Sequence, residues 1–183
     1  MIDKIIHDIS IAKDNRAYLS ALSLSLTLPS ILSSIDINQK STRKDYMAWF
    51  DQWVYKYYEQ PKSDNEIINK GIEATKFDGE NCYALRCSLL HAGNTDLIES
   101  KGKIDCFVLC ASDKSSHEGD ASVCSVSCDS ASDVYVSLNV VGLIDALISG
   151  AREYLAESEE KIQNYLNHRK SRLPYGSIDI ELR

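Results

Sequence analysis

An arginine followed five residues later by a histidine, Arg86 and His91, is the pair in this 183-residue chain whose types and spacing could do chemistry. A guanidinium is permanently charged and presents a planar fork that matches phosphate oxygens. An imidazole, with an ordinary pKa of about 6.5, can take or give a proton near neutral pH. Together the two could hold a phosphodiester and move a proton beside it. Such a spacing is common by chance, so its surroundings decide how much it means.

Those surroundings read as the end of a helix. Cys82, Leu85 and Leu89 recur at helical spacing, and Gly93 stands where a helix would be capped. On an α-helix, five residues give about 7.5 Å of rise and about 140° of rotation. One copy therefore cannot easily aim both groups at one phosphate, whereas two copies facing each other across a two-fold axis could. Glu80 and Asn94 flank the pair and could orient it. A structural account competes. Arg86 could pair with Glu80 or with a carboxylate on another helix, and His91 could simply suit the negative end of the helix dipole.

The elements that must position this segment are mostly helical. Ile2, Ile5, Ile6 and Ile9 form a helical stripe. Asp14 could cap a second helix running to about Ile35. That stretch is ambiguous, because Leu22, Leu24, Leu26 and Leu28 alternate with Ser23, Ser25 and Thr27 as a strand would; its length favours a helix kinked at Pro29. Residues 42–60 predict a helix with Tyr46, Phe50, Trp53, Val54 and Tyr57 on one face, ended by Pro61. Ser63 and Glu66 form a capping-box pattern for a short helix through about Ala74, and Phe77–Glu80 reads as the turn before the Arg/His helix.

After Gly93 the pattern changes. Ile104–Cys110, Ser122–Cys128 and Val134–Val140 are short β-prone runs separated by polar turns, which predicts a small antiparallel sheet or meander. Leu143, Leu147, Ala151, Tyr154, Leu155, Ile162 and Leu166 then mark one long amphipathic helix. Ile178, Ile180 and Leu182 alternate in the tail and suggest an edge strand. The expected layout is one domain over 1–183: a helical part at 1–95, the sheet at 103–140, a long helix at 141–171 and a tail at 172–183.

Composition narrows the function classes. An apolar fraction of 44% supports a real core, and a net charge of −7 argues against a protein that coats nucleic acid with a broad basic surface. A local basic site remains compatible with it. No apolar run follows Met1–Lys4, and Ala21–Leu32 is interleaved with serines, so neither a signal peptide nor a membrane span is expected and the location expected is cytoplasmic. The six cysteines then read as free thiols rather than disulfides.

Other clusters have plain explanations. Cys106 and Cys110, like Cys124 and Cys128, are four apart; on strands each pair sits about 13 Å apart, so no metal or other cofactor is expected and buried thiols are the default. Trp49, Phe50, Trp53 and Tyr57 fit a core face, leaving Tyr55 and Tyr58 as outward rings that could stack on bases. Lys40, Arg43 and Lys44 form a small basic patch whose default reading is a solvated helix start. His7, His117 and His168 have no partner suggested by spacing.

Arg86-Cys87-Ser88-Leu89-Leu90-His91 resembles the Arg-x4-6-His signature of HEPN domains, a helical-bundle family of ribonucleases and RNA-binding modules. The resemblance spans roughly residues 15–95 and extends to a bacterial group in which a segment like Ala21–Ser30, an aromatic helix like Tyr46–Phe50 and a run like Gly79–Gly93 follow one another. It implies a HEPN-like helical bundle; with the β-prone runs read above, the expected fold is α+β, mainly α, with a small antiparallel sheet inserted before the long C-terminal helix. It further implies a homodimer with a site shared across its axis, acting on RNA rather than DNA or a membrane. Catalysis would rest on Arg86 and His91 and need no metal. Active members often carry Asn, Asp or His directly after the arginine, where this chain has Cys87. The alternative is a catalytically inactive interaction protein on the same scaffold.

Overall fold

The structure, a computed structural model, describes residues 2–57, 64, 66, 76–93, 106–111, 124–128 and 134–170. It is mainly helical with a small sheet. The expected short helix from Ser63 to about Ala74, the tail strand, and residues Tyr58, Asn94 and His117 lie outside the described residues or in stretches too sparsely described to assign.

Helix α1 spans Ile2–Asp14 and buries Ile6 and Ile9, as its isoleucine stripe requires. The ambiguous leucine–serine stretch is helical but divided, into α2 at Tyr18–Ser25 and α3 at Leu28–Asp36. The serines and threonine explain how a strand-like alternation folds this way. Ser25, Thr27, Ser33 and Ser34 each donate a hydroxyl back to a carbonyl three or four residues earlier, so a polar side chain can sit on a buried helix face. Two expectations are corrected here. The preceding residue of α2 is Ala17, not Asp14, which instead ends α1; and Pro29 stands in the first turn of α3, where its missing N–H costs nothing, rather than kinking a continuous helix. The apolar stretch is also longer than expected. By length and composition the 19 residues Tyr18–Asp36 would suffice to cross a membrane, and half of that stretch is buried inside the fold.

Helix α4, Arg43–Trp53, forms the centre, followed by a 3-10 turn at Tyr55–Tyr57. It buries Tyr46, Trp49, Phe50 and Trp53. Tyr57, expected in the core, is instead exposed, because the tightened turn swings it outward to donate to Glu153 at 2.6 Å. Helix α5, Gly79–Cys87, lies against α4.

Helix α6, Val140–Glu157, packs on α2, α3 and α4, and α7, Glu159–Lys170, packs on α3. The single long helix expected over 141–171 is thus two helices. The break falls at Ser158, whose side chain type favours a helix start and whose carbonyl accepts from Ile162 N–H at 3.0 Å. Glu159 and Glu160 follow it in the first turn of α7, where the dipole favours anions.

The strands are β1 at Cys106–Cys110, β2 at Cys124–Cys128 and β3 at Val134–Asn139. The sheet is not the antiparallel meander expected. Its order is β1-β3-β2, with β1 parallel and β2 antiparallel to β3. The serine-rich β2 takes an edge, and β3, which runs straight into α6, takes the centre. Phe107 and Leu138 anchor the sheet to the helical core. A chain of edge-to-face rings, Phe50 on Phe77 at 6.2 Å and Phe77 on Phe107 at 5.7 Å, joins α4 to β1.

Candidate functional site

The segment bearing Arg86 and His91 is fixed to α4 by its first turn. Asp78 caps α5, accepting from Glu80 N–H at 3.1 Å and Asn81 N–H at 3.2 Å. Gly79 N–H donates to Asp51 of α4 at 2.7 Å. A Cβ at Gly79 would meet the backbone of Met47, with its Cα at 2.8 Å, so the two helices touch backbone to backbone here. Asp51 loses water in this contact, which pushes its carboxyl pKa up against the pull of the Gly79 N–H.

One turn further on, Cys82 is fully buried beside Tyr46, with Sγ and the phenol oxygen 3.4 Å apart, and Tyr46 donates to Leu26 O at 3.2 Å. Burial pushes the Cys82 thiol up to about 12 and the Tyr46 phenol well above its ordinary value. Both are neutral structural groups at physiological pH.

Above them sits Arg86. It is half-buried, with its guanidinium carbon 5.9 Å from the Tyr46 ring centre and 5.8 Å from that of Tyr83. The two rings meet edge to face at 5.3 Å. Such a cation–π seat supports charge without neutralising it. Among the described residues Arg86 has no ion pair, and its buried Nε has no hydrogen-bond partner. The expected alternative, pairing with Glu80, is not what forms. Glu80 is exposed and pairs with Arg43 at 3.0 Å. Arg43 in turn lies 5.4 Å from the Tyr83 ring centre. Two arginines from different helices therefore share one tyrosine.

Beyond Cys87 the α-helix gives way to a π turn, Ser88–Ala92, closed by Gly93 at φ +68° with its N–H returned to Ser88 O. The expected glycine cap is in place, but the expected α geometry between Arg86 and His91 is not. A five-residue hydrogen-bonded repeat draws positions five apart toward one face, so the rotation computed for an ideal α-helix overstates their divergence. His91 lies exposed on this turn. Asn94, the other flanking candidate, lies outside the described residues.

The remaining candidates settle differently. Tyr55 is half-buried, with Lys76 Nζ 5.2 Å from its ring centre. Cys106 and Cys110 stand at opposite ends of β1, and β3 separates β1 from β2. Strand rise keeps each pair about 13 Å apart along its own strand. Among the described residues no group of three or more His, Cys, Asp or Glu side chains converges as metal ligands would. Cys82 is buried, Cys87 half-buried and Cys110 exposed, and all three are free thiols.

Sequence reasoning passed over Arg43 and Tyr83 as site residues. Tyr83 precedes Arg86 by three, a spacing that shares a helix face, so that signal was present. Arg43 stands in the basic patch read as a solvated helix start, and nothing local ties it to Tyr83, forty residues away.

No known protein family, curated protein or solved structure matches the chain.

Proposed function

We propose that the chain is a HEPN-like protein that binds single-stranded RNA through Arg86 and cleaves it without a metal. His91 takes the proton of a ribose 2′-hydroxyl as that oxygen attacks the adjacent phosphorus. The bond to the 5′-oxygen breaks, that oxygen takes the proton back from the His91 imidazolium directly or through water, and a 2′,3′-cyclic phosphate remains. Arg86 holds the non-bridging oxygens as charge gathers on them. DNA lacks the attacking hydroxyl and stays intact. The working form is a homodimer in the cytoplasm, each copy adding an Arg86 and a His91 around one axis.

The observation that carries this reading is the Arg86 guanidinium, half-buried on two tyrosine rings with no carboxylate partner among the described residues. A cation kept partly desolvated and unneutralised is ready to take an anion. The exposed His91 on the adjoining π turn supports it, since π turns gather at functional sites. The second reading is an inactive scaffold that binds a partner, favoured by Cys87 in the position after the arginine.

The test is cleavage of single-stranded RNA in EDTA by the parent, Arg86→Ala and His91→Ala, with sedimentation to determine the oligomeric state. Loss of cleavage in both folded variants is expected. Parent protein that binds RNA and leaves it whole moves the assignment to the inactive scaffold; activity surviving either substitution ends it.

A further inference from the structure

We propose that Arg43 is a second phosphate-binding cation of the RNA site and that Glu80 is its resident stand-in for phosphate. The inference rests on the reading of Arg86 as a phosphate ligand and adds the next contact along the strand.

Three observations lead to it. Arg43 and Arg86 come from α4 and α5, yet both lie against the Tyr83 ring, at 5.4 and 5.8 Å from its centre, so two permanent charges are held around one ring. Arg43 opens α4, with Lys44 beside it and Lys40 just before. Thr42 and Asp45 already close that helix start as a capping box, so what favours an anion here is the cluster of cations and not the helix terminus. Finally, the Arg43–Glu80 pair is open to solvent, with the two side chains 58% and 64% exposed. An ion pair that exposed is readily exchanged for another anion. A carboxylate and a phosphate present similar oxygens to a guanidinium fork, so a strand reaching Arg86 can displace Glu80 and seat its neighbouring phosphate on Arg43.

Glu80 is thereby a competitor of substrate, not an orienting group for His91. That makes the two predicted effects opposite in sign. A 2′-O-methylated single-stranded RNA keeps its phosphates and cannot be cut, so its binding is measured by fluorescence anisotropy across a salt series. Arg43→Ala is expected to weaken binding about fivefold and to flatten the plot of log affinity against log salt by about 0.7, one single-strand phosphate contact. Arg43→Lys keeps the slope. Glu80→Gln is expected to tighten binding by about two- to fivefold, the range an exposed competing ion pair can supply. Tighter binding cannot come from a misfolded variant, and thermal melts of each protein check the rest.

If Arg43→Ala and Glu80→Gln both leave affinity and slope at parental values while Arg86→Ala abolishes binding, Arg43 is no ligand and the Arg86 site stands without it. Weaker binding by Glu80→Gln also overturns the stand-in role. A parent that binds no RNA removes both this inference and the one beneath it.

Discussion

Helix α4 is gripped on two sides in the same manner, and the two sides treat charge in opposite ways. On one side Gly79 of α5 touches the backbone of Met47; on the other Gly150 of α6 lies where a Cβ would meet Trp53 O at 2.5 Å. Each glycine lets a helix approach to backbone contact. On the α6 side the charges are closed. Lys56 Nζ and the Tyr57 hydroxyl both donate to Glu153 at 2.6 Å, and Lys56 also lies 5.3 Å from the Trp53 ring centre. That side keeps two buried orphans, Trp49 Nε1 and the Tyr154 hydroxyl, but both are neutral. On the α5 side Arg86 has aromatic support and no counter-ion among the described residues. A fold that needed Arg86 for stability alone would be expected to treat it as it treats Lys56. The contrast separates a clasp from a candidate site.

The sharpest break in this comparison is kinetic. On the proposed reading, His91→Ala should slow RNA cleavage by about 10² to 10⁴, the usual worth of a positioned general base, with an unchanged melting temperature because His91 is exposed. Lys56→Ala should leave cleavage at the parental rate. A Lys56→Ala variant as inactive as His91→Ala would show that the two sides of α4 do not differ in function.

The two glycine contacts come next in size. Gly79→Ala and Gly150→Ala each force a methyl into backbone that cannot step aside, at a cost of about 1–3 kcal/mol of stability. Urea titration reads that loss directly. The comparison predicts that the pair divide by function: Gly79→Ala shifts α5 and weakens RNA binding, whereas Gly150→Ala, matched in stability, does not. Equal loss of binding in both would trace it to general unfolding.

These elements were legible in the sequence to different depths. The helical stripe of α1 and the glycine cap at Gly93 are local patterns found where the sequence places them, while the buried face of α4 holds from Tyr46 to Val54 and ends before Tyr57. The three strands are also close to their predicted positions. Their order was not legible, because alternation within β1 and β2 says nothing about which neighbour β3 will choose. The division at Ser158 was hidden by an apolar stripe that runs through it: Tyr154 and Ile162 both pack on the core although a break lies between them. Arg86 and His91 are a candidate pair in the sequence, but what surrounds them was not legible there. The Arg43–Tyr83–Arg86 stack depends on α4 and α5 meeting at Gly79, a tertiary contact that no spacing rule encodes. Glu80 was singled out as an orienting group because it is near in sequence, and it turned toward Arg43 because α4 is near in space.

The smallest effect concerns the clasp itself and has a defined pH signature. The Glu153 carboxyl is held below its usual pKa by the hydrogen bonds from Lys56 and Tyr57, which favour its charged form. A depressed carboxylate contributes stability above its unfolded pKa, about 4.3 for Glu, and that contribution is lost as pH falls through the lower, folded value. Tyr57 behaves in reverse. Its hydroxyl donates to Glu153, and that bond raises its pKa to about 12. Stability from the neutral phenol is complete below the unfolded value of about 10 and fades as pH climbs toward the folded one. The α6 clasp should therefore loosen at both extremes. Thermal midpoints measured across pH should fall less steeply in acid for Glu153→Gln than for the parent, and less steeply in base for Tyr57→Phe. Both ends depend on one shared carboxylate, so Glu153→Gln should also flatten the alkaline limb, whereas Tyr57→Phe should leave most of the acid limb intact because Lys56 still holds the charge. An acid limb abolished by Tyr57→Phe would mean that the phenol, not the ammonium, is what fixes Glu153, and the clasp would be a phenol–carboxylate hydrogen bond rather than an ion pair.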